Sequence, residues 1–341
     1  MRILTQLLPE TLVNRPWPVN MPENKSGLFV NEQNIKLSSV NLVEFEHVGI
    51  DSSGILMKRF SVFSECLIWS VHKKIYNFRY AARKNFTCKH RRLSKNSIAY
   101  LCFDYWSNGY FHWITEALPR IFLIEENLKN RDAVLLLPGK FKSDFHSETL
   151  LAFPNISIEW IGENELIHCS KCRLVGRVSK SGSNNPTIVM EIRNRLISKI
   201  QSPKLPYRNV YVSRSLAARR KVKNEEEVEK VLSDMGFEII HFEHYSFIEQ
   251  MHIANETLNY VSLHGANLTN AFFMEAGSNM LEFRMRDDPD NNYYYALATA
   301  CHLNYYFLSC EFTMFSEAGN NFDIKVDISE LQKIVLQMLN K

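Results

Sequence analysis

The sequence has no run of about 18 apolar residues, so no segment is expected to cross a membrane as a helix. It has no internal repeat, which excludes a solenoid or propeller. Its N-terminus, MRILTQLLPETLVNRPWP, lacks the long apolar region and small-residue cleavage site of a signal peptide, so a cytoplasmic location is expected. A disulfide pattern is missing too. The seven cysteines, Cys66, Cys88, Cys102, Cys169, Cys172, Cys301 and Cys310, are odd in number and scattered, which points to reduced thiols. Cys169 and Cys172 have the spacing of half a zinc site, but no second pair is spaced to complete it. Buried thiols on a strand are the better reading.

One absence is local. No acidic residue stands between Glu65 and Asp104, while Lys73, Lys74, Arg79, Arg83, Lys84, Lys89, Arg91, Arg92 and Lys95 all do. Trp69, Tyr76, Phe78, Tyr80 and Phe86 are interleaved with them. The net charge of +3 conceals this asymmetry. Such a segment suits anionic lipid headgroups, nucleic acid or an anionic glycan. It also suits a solvated face of a strand-rich region with the aromatics turned inward.

What is present is ordinary globular composition, 45% hydrophobic and 23% charged, over 341 residues, enough for two domains. The first hundred residues carry short apolar runs and turn signals, so a β-rich opening section is expected. Trp113, Ile114, Ala117, Leu118, Ile121, Phe122 and Ile124 then recur at helical spacing, with Pro119 expected to kink the helix or mark its beginning. Residues 133–138, 157–161 and 172–178 read as strands. Lys180–Pro186 is the clearest linker, 188–200 a helix, and Ser202–Pro206 a second break. Beyond it strand and helix alternate. Strands are expected at 208–213, 237–242, 257–263 and 279–283, and capping boxes at Asn224 with Glu227 and Ser246 with Glu249. A last helix is capped by Asp327 and Glu330 and runs to Leu339. Such alternation predicts a parallel sheet covered on both faces, with ligands beyond the C-terminal strand ends.

The segment Leu263-His264-Gly265-Ala266-Asn267-Leu268-Thr269-Asn270 lies at one such strand end. A small-residue turn there offers backbone N–H groups to a phosphate; an ordinary tight turn is the alternative. With two other segments it carries a resemblance. Asn108-Gly-Tyr-Phe-His112-Trp-Ile-Thr-Glu116-Ala-Leu-Pro119-Arg120, then Tyr211-Val-Ser-Arg214 through Arg219-Arg220 to Asn224-Glu-Glu, then His264-Gly-Ala-Asn-Leu-Thr-Asn270 followed by Leu281-Glu282-Phe283 resemble, in order, the motifs of glycosyltransferase family 61. The resemblance runs from about residue 100 to 285. It departs at Asn267, where the family has a second glycine; Asn takes the left-handed conformation less freely.

The resemblance implies an inverting α/β transferase of GT-B-like fold, two Rossmann-like domains facing a cleft, here with a β-rich N-terminal section. The expected division is residues 1–200 for the acceptor, 201–320 for the nucleotide sugar, and 321–341 as a helix packing back on the first domain. His112 and Glu116 are the catalytic candidates, since residues four apart share a helix face. Either can be the base. His112 is preferred because an ordinary imidazole titrates near working pH. Arg214, Arg219 and Arg220 are expected at the diphosphate, where guanidinium forks bind bidentately. His264, Gly265, Ala266 and Asn267 would present backbone donors. Thr269 and Asn270 would add side-chain hydrogen bonds or cap the helix, and Glu282 would accept from ribose hydroxyls. Asp287-Asp288-Pro289-Asp290 reads as an acidic loop, so no metal or other cofactor is expected. The expected partners are a nucleotide sugar, UDP-linked by family habit, and a saccharide or lipid-linked saccharide acceptor in surface-polysaccharide (capsule) synthesis. Peripheral contact of residues 73–95 with an anionic inner membrane is expected, and no nucleic acid. The alternative is a non-catalytic glycan- or nucleotide-binding protein of the same fold.

Overall fold

The computed structural model describes residues 1–22, 27–68, 72–128, 132–142, 144–200, 205–312 and 322–340. Trp69 of the basic segment and residues 202–204 of the expected second break lie outside the described residues. The chain forms two compact units, one of Met1–Thr11 with Leu37–Lys180, the other of Leu12–Lys36 with Ser181–Lys341. The division falls at the first expected break, not the second. The helix Pro186–Ile197 therefore belongs to the second unit. It starts where Pro186 follows Asn185, whose side chain accepts from the Ile188 N–H. Gly182 enters that unit with φ +80°, and a Cβ on it would stand 2.0 Å from the Tyr293 ring, so only glycine fits.

The second unit holds a six-stranded sheet in the order Glu238–Ile240, Arg208–Val212, Thr257–Leu263, Asn279–Met285, Asn304–Phe312, Ile324–Lys325. The first five are parallel and the short sixth runs antiparallel at the edge. Numbered along the chain the parallel order is 2-1-3-4-5, so the winding reverses between Arg208–Val212 and Thr257–Leu263. A doubly wound sheet opens its ligand crevice at the C-terminal ends of such a strand pair. Side chains alternate across this sheet. Tyr211, Val261, Leu263, Leu281, Phe283 and Tyr306 pack with Val228 and Leu232 of the helix Glu225–Asp234 and with Leu331, Ile334, Val335 and Met338 of the helix Ile328–Leu339. Those four last residues recur at helical spacing, and each buried side chain is worth about 1.5–3 kcal/mol. The C-terminal helix is thus part of the second unit's own core, a correction to the expectation that it packs back on the first domain.

The segment Leu12–Lys36 is a second correction. Phe29 is fully buried against the rings of Tyr295 and Phe307 at 4.9 and 5.1 Å, and Asn20 hydrogen-bonds the Phe307 backbone. The sequence also gave no notice of the helix Tyr293–Ala300 or the strand Asn304–Phe312, whose near-uniform burial leaves no period to read. Of the expected capping boxes, that of Ser246 and Glu249 forms; Asn224 instead bonds across to the backbone of Val326.

The first unit is α/β with a mixed sheet. Ser157–Ile161, Ala133–Pro138, Ile98–Leu101 and Glu165–Val175 are parallel. Val40–Asp51 then pairs antiparallel with Glu165–Val175, and Arg2–Leu8, Leu56–Lys58 and Ser61–Val62 continue the antiparallel part. The β-rich opening is there, but this sheet is not the parallel Rossmann-like one expected. The basic segment contributes the helices His72–Ile75 and Phe78–Thr87 as well as the strand Lys89–Arg92. Cys169 and Cys172 are buried on one strand, and all seven cysteines are free. Burial pushes the thiols of Cys66, Cys102, Cys301 and Cys310 up to about 12, which leaves them unreactive. Among the described residues no helix is long and apolar enough to cross a membrane.

Candidate active site

In the first unit the site is built on an interrupted helix. A helical turn at Tyr110–His112 leads into a π-helical segment, Trp113–Ala117, and then into Leu118–Glu126. Pro119 explains the interruption. It has no N–H and its ring crowds the carbonyl one turn back, so the ladder widens and Leu118 donates to the Trp113 carbonyl. The Thr115 hydroxyl closes part of the gap by donating to the Phe111 carbonyl at 2.8 Å. The expected kink is therefore a π-turn, which contains Glu116 and begins directly after His112.

His112 Nδ1 and Glu116 Oε1 are 2.9 Å apart. The imidazole is 24% exposed, the carboxylate only 5%. With Nδ1 held by a carboxylate, Nε2 is left as the ring's proton acceptor. Glu116 is itself held by Arg177 at 3.1 Å; Arg177 also reaches Asp104 at 2.7 Å, and Asp104 meets Arg120 at 3.0 Å. Arg120 donates further to the Glu116 carbonyl at 3.0 Å. Burial disfavours charge on Asp104, but Arg120 and Arg177 outweigh it and hold the carboxyl below its ordinary range. The result is a buried charge network with one half-buried imidazole at its end. Trp106 and Tyr105 flank it. Trp106 is 37% exposed with its ring 5.5 Å from that of His112, and Tyr105 is 59% exposed with its ring 5.7 Å from that of Trp106. Asp104, Arg177 and Trp106 were not singled out from the sequence. Arg177 lies far from the helix motif, and only the fold brings it to Glu116.

In the second unit the candidate residues meet at the winding reversal. Arg214 follows Arg208–Val212 and His264 follows Thr257–Leu263. The Arg214 guanidinium donates to the carbonyls of Arg219 and Arg220 at 3.1 and 3.2 Å, bracing the loop between. Its remaining nitrogen lies over Gly265: a Cβ there would be 2.4 Å from Nη1. A side chain at position 265 would displace that guanidinium; the backbone angle there is extended and sets no demand of its own. Arg220 adopts φ +56°, a conformation a non-glycine residue holds only at some cost. Burial and then the charge of Arg220 lower the Arg214 pKa. Among the described residues no carboxylate lies within ion-pair distance of Arg214, Arg219 or Arg220. Two arginine charges close enough to repel favour an anion nearby.

His264 is buried, and its Nδ1 makes a short hydrogen bond to Glu282 Oε1. Glu282 is fully buried and accepts from the Tyr305 hydroxyl at 2.6 Å through its other oxygen. Burial opposes its charge, but His264, Arg284 and Tyr305 prevail and hold the carboxyl below its ordinary range. Both oxygens of this buried carboxylate are bonded within the protein, one to His264 and one to Tyr305. The His264 N–H donates to the Phe283 carbonyl at 2.9 Å and is likewise used. The 3₁₀ helix Ala266–Phe273 begins at Ala266, which is exposed and whose N–H has no intrahelical acceptor. Asn267 does not take the left-handed conformation. Its amide donates to Ser262 Oγ at 2.7 Å and its side-chain oxygen accepts from the Leu268 N–H at 3.0 Å. Thr269 and Asn270 are buried, with the Asn270 amide donating to Gln250 at 3.2 Å. The structure thus gathers Arg214, Arg220, His264, Gly265 and Ala266, adds Tyr294 with its ring 5.0 Å from that of His264, leaves Arg219 exposed, and turns Thr269, Asn270 and Glu282 inward.

The acidic loop after Asn279–Met285 serves its own turn. Asp288 accepts from the Asp290 N–H through its side chain and from Arg284 through its carbonyl. Among the described residues no group of three acidic, histidine or cysteine side chains is placed to hold a metal.

A search of curated proteins finds no match. A family comparison does. The model described as Glycosyltransferase 61 matches residues 110–281, half of the 341-residue chain, from the start of the interrupted helix to the residue before Glu282. A match of that extent, running through the His112–Glu116 pair, the Arg214 loop and the His264–Gly265 turn, places the chain in glycosyltransferase family 61.

Proposed function

We propose that the protein is an inverting glycosyltransferase of GT-B type that moves a sugar from a nucleoside diphosphate sugar, preferentially a UDP-sugar, to a saccharide acceptor. The observation that carries this reading is the pair of guanidinium groups of Arg214 and Arg220 at the strand switch point, one of them laid over Gly265. That arrangement suits a diphosphate, with the exposed N–H of Ala266 as a further donor. The first unit activates the acceptor. His112 takes the proton of an acceptor hydroxyl on Nε2, the oxygen forms a bond to the anomeric carbon, and the bond from that carbon to the diphosphate breaks. Arg214 and Arg220 receive the charge on the departing diphosphate, so no metal is required. Glu116 orients the imidazole and balances its positive charge. Trp106 and Tyr105 offer ring faces to the acceptor sugar. The acceptor is a saccharide, free or lipid-linked, of the surface-polysaccharide kind. The enzyme works in the cytoplasm, touching an anionic membrane through residues 73–95.

A thermal-shift screen against UDP, GDP, CMP and their sugars, with and without EDTA, tests the donor half. A rise with one nucleotide class that persists in EDTA is expected. No rise with any nucleotide overturns it, and loss of the rise in EDTA overturns metal independence. Turnover by the wild type that His112→Ala lowers at least about a hundredfold, with the nucleotide shift kept, separates an enzyme from a binding protein of this fold.

A further inference from the structure

We propose that the helix Phe78–Thr87 and the adjoining hairpin tip form a bilayer-docking surface, with three phenylalanine rings seated at the headgroup–acyl boundary and two arginines on lipid phosphates. This deepens the membrane contact proposed above and rests on it.

Tyr76 is turned inward, as a solvated face would have it, but the phenylalanines are not. Phe86, Phe78 and Phe60 are 79%, 65% and 39% exposed. They cluster outside the core: the Phe60 ring lies 5.6 Å from that of Phe78 and 6.0 Å from that of Phe86. Contiguous exposed apolar surface of this kind marks an interaction site. The tip that carries Phe60 is built. Met57 pairs with Val62 and Lys58 with Ser61, leaving a two-residue turn in which Arg59 takes φ +52°. Asn85 holds that turn by donating to the Arg59 carbonyl at 2.8 Å. Helix and hairpin thus present one aromatic patch.

The charge lies beside it. At about 100° per residue, Phe78 and Phe86 fall about 80° apart on the helix, and Arg79 and Arg83 occupy the next strip of the outward arc. The two arginines line a groove of about 510 Å³ together with Tyr76, Asn77, Tyr80 and Lys84. Its back wall is fixed, because buried Asp51 takes the Tyr80 hydroxyl at 2.5 Å and Lys84 at 3.5 Å. Arg91 is likewise spent on Glu159 and Glu165. Arg79, Arg83, Lys73 and Lys74, all exposed, have no carboxylate within ion-pair distance among the described residues. Phenyl rings packed on one another with a rim of unneutralised cations match an anionic bilayer, whose phosphates overlie an apolar layer. A nucleic acid would be served by separate ring faces between the charges.

The test is sedimentation with phosphatidylcholine vesicles, with and without phosphatidylglycerol. It compares the full chain with Phe78→Ala/Phe86→Ala and Arg79→Gln/Arg83→Gln. All these side chains are exposed, and an unchanged nucleotide thermal shift serves as the folding control. The wild type should bind only the phosphatidylglycerol vesicles. The arginine variant should lose about 30-fold in affinity, and the phenylalanine variant at least about tenfold. Wild type that ignores phosphatidylglycerol removes membrane contact altogether. Binding that survives the phenylalanine exchange but not the arginine exchange makes the surface a general polyanion site and overturns the proposal. Binding that survives both leaves membrane contact standing through another surface and removes this one.

Discussion

His112 with Glu116 in the first unit and His264 with Glu282 in the second are the same two side chains in different surroundings. His112 is 24% exposed and ends a charge network; His264 is 7% exposed and is enclosed. Glu116 is backed by Arg177, an always-charged donor, whereas Glu282 is shared with the Tyr305 hydroxyl and lies near Arg284. An imidazole that must take a proton from a substrate needs one nitrogen held and the other accessible. The first pair meets that need. The second is enclosed beside the turn that carries Gly265. The lesson is that a histidine–carboxylate contact names no role; access to the second nitrogen does.

The largest expected effect comes from breaking the first pair. His112→Ala should lower kcat by a factor on the order of 10²–10⁴ with donor binding and melting temperature little changed. Steady-state kinetics beside a thermal melt would show it, and a mainly destabilising outcome would make the two pairs alike. Next is the second pair. Glu282→Gln removes the buried carboxylate that is hydrogen-bonded to His264 and lies near the Arg284 charge, and should cost about 3 kcal/mol in urea unfolding. A fully stable but inactive variant would move Glu282 into the chemistry. Gly265→Ala should force the Arg214 side chain aside and raise the donor KM about tenfold, for a loss of about 1.4 kcal/mol, measured at saturating acceptor. An unchanged KM would detach Arg214 from the donor.

The smallest effect concerns pH. Asp104 and Glu282 are both held below their ordinary values, 3.8 and 4.5. Depressed carboxylates contribute stability that is complete above those ordinary values and is lost as pH falls through the lower folded ones. Acid unfolding should therefore steepen below about pH 4.5. Asp104→Asn should flatten that limb while lowering stability at neutral pH. An acid limb that is the same with and without Asp104 would show that the first unit's network is not charged as drawn.

Much of this was legible in the sequence because it is local. His112 and Glu116 are one helical turn apart, and the turn after Thr257–Leu263 is announced by its small residues. The alternation beyond residue 208 gave the parallel sheet. The charge network was not legible, because Asp104, Glu116 and Arg177 come from separate elements. Nor was the burial of Thr269, Asn270 and Glu282: a polar residue at a strand or turn position reads as exposed until its neighbours are known. The mixed sheet of the first unit escaped for a related reason. Strand direction is set by which strands pair, and pairing is a long-range choice.

The sequence by itself determined the motifs, the strand–helix alternation of the second unit and the family, since each depends on spacing along one stretch of chain. Tertiary structure alone decided which of two histidines stays open, that Arg214 lies over Gly265, and that Phe78 and Phe86 face outward beside Phe60. Those are matters of enclosure and approach. They depend on what the rest of the chain packs against a residue, and no local pattern carries that.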